Sequence, residues 1–488
     1  MNILILLGYG DFTNRINNSI HLLQKNNKDI TCTALVYGKH NYDFLKNQKK
    51  TKYNKIICIE TIFENLEKNF PKFKDLNIYL KKCKTLEEKY NIDLTRLIYS
   101  ERIYVNHTHY NIYRRKLTHG QICYIIYSTF IKIHNLVNED KFDLIYVYTS
   151  AASISEILYK ISVIKKIKFL TMGHSRFLNY YLPFSNNMEY PEKLFNFYKK
   201  NKKFSKKICF KLFNKYLKTI KGNNSILSRH NNLRVNNKKI NIENLYRFLK
   251  FFIFGSNSTH YLSPTPYQRL IKNVEFKLNE IFSIKYFEQN LPASKYVFLP
   301  LSTIPEASLL IRGIDFYDQL SLIKKISLNL PVNYKILVKD HPGMMGVTPL
   351  SFYKELKKIY NVHLIRTNFS AYECIKNSEA VLVVSGTTGM QSLALGKKTI
   401  VLGKAVYSYL KATFKPKKIE DIRKIINTDW TKTKAKNQKK DFIKYINSIL
   451  NSENVIDNEA VYWSQKKNIN DIIDVDIGLY KILKNYLK

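Results

Sequence analysis

Between residues 296 and 402 the chain runs through five short apolar segments, at 296–299, 334–338, 362–365, 380–384 and 399–402. Each is separated from the next by a polar stretch of helix-forming composition. A strand that is apolar at nearly every position, rather than at alternate ones, is buried on both faces, and helical crossovers are what cover both faces of a parallel sheet. The intervening stretches predict helices at about 315–329, 350–359, 371–377 and 390–395. This segment therefore reads as a doubly wound α/β domain. A second, less regular alternation precedes it. Residues 3–7 form a strand that ends at the Gly8-Tyr9-Gly10 turn, residues 30–36, 55–59 and 143–148 are further strands, and Thr149-Ser150-Ala151-Ala152-Ser153 opens a helix. Residues 167–171 then form a strand running into Gly173-His174. The fold class expected is α/β, with two such domains at 1–185 and 291–414, a basic helical insert at 186–290 and a polar, helical tail at 415–488.

The net charge of +42, from 80 Lys+Arg against 38 Asp+Glu, first suggests nucleic acid as partner. Lysine supplies most of it, however, and the arginines that read guanine bidentately are few. No zinc finger, RRM or helix-turn-helix pattern accompanies the charge, so no specific nucleic acid is expected. A codon bias that spreads Lys over all surfaces explains most of it equally well. The exception is residues 190–250, which hold 17 Lys+Arg against only Glu192 and Glu243. There Phe195, Phe197, Tyr198, Phe204, Ile208, Phe210, Leu212, Phe213, Tyr216 and Leu217 fall roughly on one helical face. Two readings compete: a basic amphipathic helix on an anionic membrane surface, or a helical insert with its aromatics in the core. Six scattered cysteines form neither a CxxC nor a Cys/His cluster, which argues against a zinc site and against a disulfide framework. The opening MNILILLGYGDF reads as a first strand and not as a leader peptide, and no run approaches the roughly 18 apolar residues of a membrane-spanning helix. A cytoplasmic protein, peripheral on the inner face of the cell membrane if the basic segment binds lipid, is the expectation.

Ligands of open α/β sheets bind beyond the carboxyl ends of the strands. Three such ends stand out: Pro300-Leu301-Ser302-Thr303-Ile304-Pro305-Glu306, Lys339-Asp340-His341-Pro342-Gly343, and Ser385-Gly386-Thr387-Thr388-Gly389-Met390-Gln391. The last places free backbone N–H groups, a helix dipole and hydroxyls on one spot, which favours a phosphate. It is neither a P-loop nor a GxGxxG fingerprint. An ordinary turn with Thr388 as N-cap is the competing reading. His341, halted at the strand end by Pro342, can donate to a phosphate, with Lys339 beside it. Glu306 is suited to accept from a sugar or ribose hydroxyl, or to cap the following helix.

The succession PLSTIPEAS, Asp318-Gln319, LPVNYKILVKDHPGMMG, NVHLI and SGTTGMQSLALGKKTIVLG, over about residues 295–408, resembles the C-terminal half of capsule and surface polysaccharide biosynthesis proteins. These are GT-B-type glycosyltransferases. More distantly it is similar to bacterial polysialyltransferases and CDP-glycerol glycerophosphotransferases. The resemblance implies a GT-B-like pair of Rossmann-like domains facing across a cleft. It also implies a nucleotide-sugar donor, a CMP-sugar among the candidates, held at His341, Ser385, Thr387 and Thr388, with Gly386 and Gly389 shaping the turn. The family commonly has Glu-Ala where this chain has Gln391-Ser392, so a carboxylate contact to the donor ribose becomes at best an amide one.

The resemblance thus implies transfer of a sugar to a surface or capsular polysaccharide, or to a lipid-linked glycan acceptor. No cofactor beyond the donor is expected, and no metal, because a helix N-terminus and cations can neutralise the phosphates. His341, Lys339 and the 385–389 turn would stabilise the leaving group. The base that takes the acceptor's proton is sought at the first domain's strand ends, at Asp11 or His174. Asp474-Val475-Asp476, the one DxD, reads as solvated charge in the tail. The alternatives are a non-catalytic partner in glycan assembly, a nucleotide-sugar epimerase and, less favoured, a nucleic-acid-binding protein.

Overall fold

The computed structural model describes residues 1–8, 11–59, 61–62, 77–101, 117–148, 150, 152–187, 190–200, 206–222, 266–304, 306–452, 455–456 and 469–487. Its first sheet contains β1 (Asn2–Leu7), β2 (Thr31–Val36), β3 (Lys55–Cys58), β4 (Leu144–Val147), β5 (Lys168–His174) and β6 (Tyr180–Phe184). Its second contains β7 (Tyr296–Pro300), β8 (Lys335–Lys339), β9 (Val362–Ile365), β10 (Ala380–Val383), β11 (Lys398–Val401) and β12 (Thr413–Phe414). The first sheet gains one more edge strand, β13 (Val455–Ile456), antiparallel to β6.

Spatial order is β13-β6-β5-β4-β1-β2-β3 in one sheet and β12-β11-β10-β7-β8-β9 in the other. Both centre on the 3-2-1-4-5 arrangement of a nucleotide-binding fold, with the order reversing between β1 and β4 and between β7 and β10. All pairings of the second sheet are parallel, as its unbroken apolar strands require. Ile3, Ile5 and Leu7 face one core while Leu4 and Leu6 face another, so β1 is buried on both sides. The second sheet likewise divides its side chains, with Val297, Ile336 and Leu382 on one face and Phe298, Leu337 and Val383 on the other.

Strand β6 is absent from the expectation, because it follows a tight turn in which Arg176 and Leu178 take positive φ (65° and 44°) and because it contains Pro183. The basic stretch resolves toward the core. Helix Glu192–Lys200 buries Leu194, Phe195 and Tyr198, and helix Lys206–Gly222 buries Cys209, Phe213, Tyr216 and Ile220. Phe213 and Tyr216 meet Phe442 of helix Lys432–Asn451 at ring distances of 5.6 and 5.9 Å. That cluster continues into Met390, Val401 and Tyr407 of the second α/β unit and Phe177 and Leu182 of the first. These aromatics weld the two units together and are not available to a bilayer. Phe204 lies outside the described residues.

The tail reading is also corrected. Helix Ile469–Leu487 crosses back to the first sheet and packs along helix Asp11–Asn26. Asp476 is buried there rather than solvated, accepting from the Asn18 side-chain amide at 2.9 Å. Among the described residues all six cysteines are free, no group of His, Cys, Asp and Glu is placed to hold a metal, and no helix is long and apolar enough to cross a membrane.

Candidate functional site

The carboxyl ends of β7, β8 and β10 carry the predicted residues, and a network of side chains fixes the loops that hold them. After β7, the Gln319 amide clamps the chain from both sides, accepting from the Ser302 N–H at 2.7 Å and donating to the Ser302 carbonyl at 3.0 Å. Asp318 caps the same helix through the Ser321 N–H. The Asp318-Gln319 pair is thus a loop holder. Glu306 precedes the short helix Ala307–Leu310 without capping it, and its carboxylate accepts from the Ser308 hydroxyl at 3.4 Å. Pro305 lies outside the described residues.

After β8, Asp340 is the organising group. It is buried and accepts from the His341 N–H at 2.7 Å, the Thr348 hydroxyl at 2.9 Å and the Tyr353 hydroxyl at 2.5 Å. Burial raises its pKa, while those three hydrogen bonds pull the other way. The His341 ring is half-buried, and its Nδ1 accepts from the Gly343 N–H at 3.0 Å. With Nδ1 used as acceptor, the neutral ring carries its proton on Nε2. Lys339 does not join it at the surface. Its ammonium is buried and donates to the Thr367 carbonyl at 2.7 Å, and desolvation lowers its pKa. It fixes the turn after β9.

After β10, Gly386 rather than Thr388 is the N-cap of helix Thr387–Ala394, and no side chain caps that end. The buried Ser385 hydroxyl donates to the Ser308 carbonyl at 2.9 Å, tying this turn to the loop after β7 across the switch point. Gly389 is required by packing, because a Cβ there would lie 2.4 Å from the hydroxyl of Tyr407. That hydroxyl donates to the Gly386 carbonyl. Thr387 is exposed, and Thr388 and Gln391 are half-buried on the first two turns.

Three cationic or aromatic side chains complete the site, Arg176, Arg312 and Tyr407; the sequence marks only the first, through a faint likeness of Gly173-His174-Ser175-Arg176 to a Ser-Arg element. The first unit contributes Gly173-His174-Ser175-Arg176 at the end of β5. The Arg176 guanidinium reaches across and donates to the Thr387 hydroxyl at 3.3 Å, 211 residues away. Tyr445 and Tyr216 hold this turn by donating to the carbonyls of Ser175 at 2.7 Å and Arg176 at 3.3 Å. Arg312 comes from the loop between β7 and β8. Its backbone is pressed against the end of β10, since a Cβ on Gly403 would lie 2.8 Å from the Arg312 carbonyl and one on Gly313 would lie 2.2 Å from a Val384 methyl. Burial and the neighbouring Arg176 push the Arg312 pKa down to about 9, with Glu306 and the Tyr407 and Tyr181 phenols opposing. Tyr407 is wholly buried behind the helix N-terminus.

His174 lies among these groups. Its Nδ1 accepts from the Arg176 N–H at 2.7 Å, and its ring sits edge-on to Tyr181 at 5.0 Å. Burial first, then the charges of Arg176 and Arg312, lower its pKa to about 3. It is a neutral imidazole at any physiological pH. Asp11 begins helix Asp11–Asn26 just beyond β1, at the switch point of the first sheet. Two guanidinium groups, a neutral histidine and an open helix N-terminus thus converge where strand ends of both sheets meet. Cations held this close raise the energy of the empty site, and an anionic ligand lowers it.

The family of capsule polysaccharide biosynthesis proteins matches residues 269–455, the segment containing β7 to β12 with Glu306, Arg312, Lys339, His341 and the 385–391 turn. The resemblance drawn from the motifs holds over this segment. No curated protein matches the chain. Among solved structures, the beta Kdo 2,7 transferase KpsC of Thermosulfurimonas dismutans is 13% identical over 68% of this chain and 87% of its own, with a TM-score of 0.30. The UDP-GlcNAc 2-epimerase of Neisseria meningitidis bound to UDP-GlcNAc is 13% identical over 100% of both chains, with a TM-score of 0.28. A glycosyltransferase from Rickettsia africae is 12% identical over 99% of this chain and 97% of its own, also with a TM-score of 0.28.

Proposed function

We propose that this chain is a metal-independent glycosyltransferase of capsule assembly, taking a sugar from a nucleotide-activated donor to a glycan or lipid-linked acceptor. The observation that carries the reading is the convergence of Arg176, Arg312 and the Thr387 helix N-terminus at the switch point of the second sheet. Departure of the donor's nucleotide leaves negative charge on phosphate oxygens. Two guanidinium groups and aligned N–H dipoles placed there beforehand stabilise that charge without reorganising. The His341 Nε2–H adds a hydrogen bond from the end of β8, on a loop that Asp340 fixes. Gln391, one turn into the helix, is the nearest candidate for a ribose contact.

The division of labour on the acceptor side follows from charge. An imidazole whose pKa is near 3 is a poor proton acceptor at neutral pH, so His174 serves as a neutral hydrogen-bonding group and not as the base. Asp11, at the carboxyl end of β1, is the residue we assign as base.

Titrating the purified protein with CMP, CDP and UDP, and screening their sugar donors with a capsular acceptor, tests the reading. A nucleotide at about 100 times its Kd should raise stability by roughly 2.7 kcal/mol. Arg312→Gln should weaken nucleotide binding at least tenfold. Failure of every pyrimidine nucleotide to shift the melting temperature would sink the donor site, and release of free epimerised sugar without acceptor would reassign the chemistry.

A further inference from the structure

The face of helix Lys206–Gly222 that points away from the core is a second site with its own chemistry. Cys209, Phe213, Tyr216 and Ile220 are buried, and these positions define one side of the helix. On the other side lie Lys207, Lys211, Lys215 and Lys218, all exposed and spaced to form one continuous stripe. The helix contains no acidic residue. Like charges three and four residues apart cost the helix stability, and among the described residues no acidic side chain pairs with these lysines to offset it. Two large apolar side chains flank the stripe: Ile208 is 52% exposed and Phe210 48%. The preceding helix ends on the exposed pair Lys199 and Lys200.

We infer that this face docks the protein on an anionic lipid bilayer, the lysines lying over acidic headgroups while Ile208 and Phe210 enter the interfacial layer. Charge complementarity sets the sign of the partner, and the apolar flanks favour a lipid surface over a nucleic acid, whose phosphate backbone offers them nothing to bury in. The single aromatic face that the sequence pattern suggested is split: the core takes Phe213 and Tyr216, while Ile208 and Phe210 turn outward and flank the lysines. Position agrees with use: the inner side of the same helix reaches the crevice, where Tyr216 donates to the Arg176 carbonyl. A bilayer on the outer face is therefore one helix thickness from the site, within reach of an acceptor anchored in that bilayer.

The experiment is co-sedimentation of the full chain with phosphatidylglycerol-containing vesicles and with pure phosphatidylcholine vesicles, at low and high salt. No donor is needed, so the result stands apart from the transferase reading. Binding is expected to the anionic vesicles alone and to fall steeply with salt. Replacing Lys207, Lys211, Lys215 and Lys218 together by Gln should weaken it by roughly fivefold per lysine, on the order of 500-fold in all. Ile208→Ser with Phe210→Ser should weaken it while leaving the salt dependence unchanged. Circular dichroism and melting of each variant confirm that the fold survives. Equal binding to both vesicle types, or a quadruple variant that binds as the native chain does, would overturn the inference. So would a single-stranded RNA that binds the lysine stripe while the vesicles do not, which would assign the face to nucleic acid.

Discussion

Replacing Gly389 by Ala separates a turn shaped by packing from an ordinary helix start. In an exposed helix the change adds about 1 kcal/mol of stability, because Ala is the better helix former. Here the new methyl would lie 2.4 Å from the Tyr407 hydroxyl and 2.7 Å from two of its ring carbons, whereas favourable carbon contacts begin near ~3.5 Å. Tyr407 is fully buried in the cluster that also holds Met390 and Phe442, so it has nowhere to retreat. Overpacking of this kind costs about 1–3 kcal/mol. Moving the phenol also weakens its hydrogen bond to the Gly386 carbonyl, for about 1 kcal/mol more. Against the propensity gain, the net expectation is a destabilisation of about 1–3 kcal/mol, read by urea denaturation. Tyr407→Phe removes both the closest atom and the hydrogen bond, so adding Gly389→Ala in that background should cost about 1 kcal/mol less than in the native protein. A variant as stable as the native chain or more so, with no coupling to Tyr407, would refute the packing argument.

Two further outcomes follow from charge and burial. The His174 pKa falls from 6.5 to about 3 on folding, so between those values the unfolded chain binds the extra proton. Stability should be fully present above pH 6.5 and be lost as pH falls toward 3, by at most about 1.4 kcal/mol per unit, less what solvent screens; His174→Gln should flatten that slope in pH-dependent melting. Asp340→Ala strands the Tyr353 and Thr348 hydroxyls and the His341 N–H, and should destabilise by about 3 kcal/mol while loosening the His341 loop, seen as weaker nucleotide binding by calorimetry.

Strands whose every position is apolar announce themselves, and β1, β4 and β7 to β11 stand within a residue or two of their expected places. The polar turns after them were legible for the same reason, since a Gly/Thr or His-Pro interruption at a parallel strand's end has few other uses. What a linear reading cannot supply is the direction of a side chain and the partner it meets. Lys339 alternates inward at the end of β8 and is consumed by Thr367, though its neighbour His341 stays at the crevice. Arg312 sits in irregular chain with no periodicity to mark it, and the fold sets it beside the Arg176 charge, just as it brings Arg176 itself to the Thr387 hydroxyl, 211 residues away. The basic helix shows the same limit: spacing identified two faces, but only the position of Phe442 decided which one the core would take.

The return of helix Ile469–Leu487 to the first sheet bears on how the chain is made. Leu479, Ile482, Leu483 and Leu487 cover the same core face as Ile16, Ile20 and Leu23, and Asn18 bonds Asp476 across 458 residues. At about 5–20 residues per second, a ribosome takes roughly 20–90 s to deliver that cover after helix Asp11–Asn26 has emerged. During that interval the amino-terminal unit lacks the native cover of its Ile16, Ile20 and Leu23 face. The core of the amino-terminal unit is thus completed only once residues 469–487 have emerged, and a chaperone that covered the Ile16, Ile20 and Leu23 face in the meantime would limit aggregation.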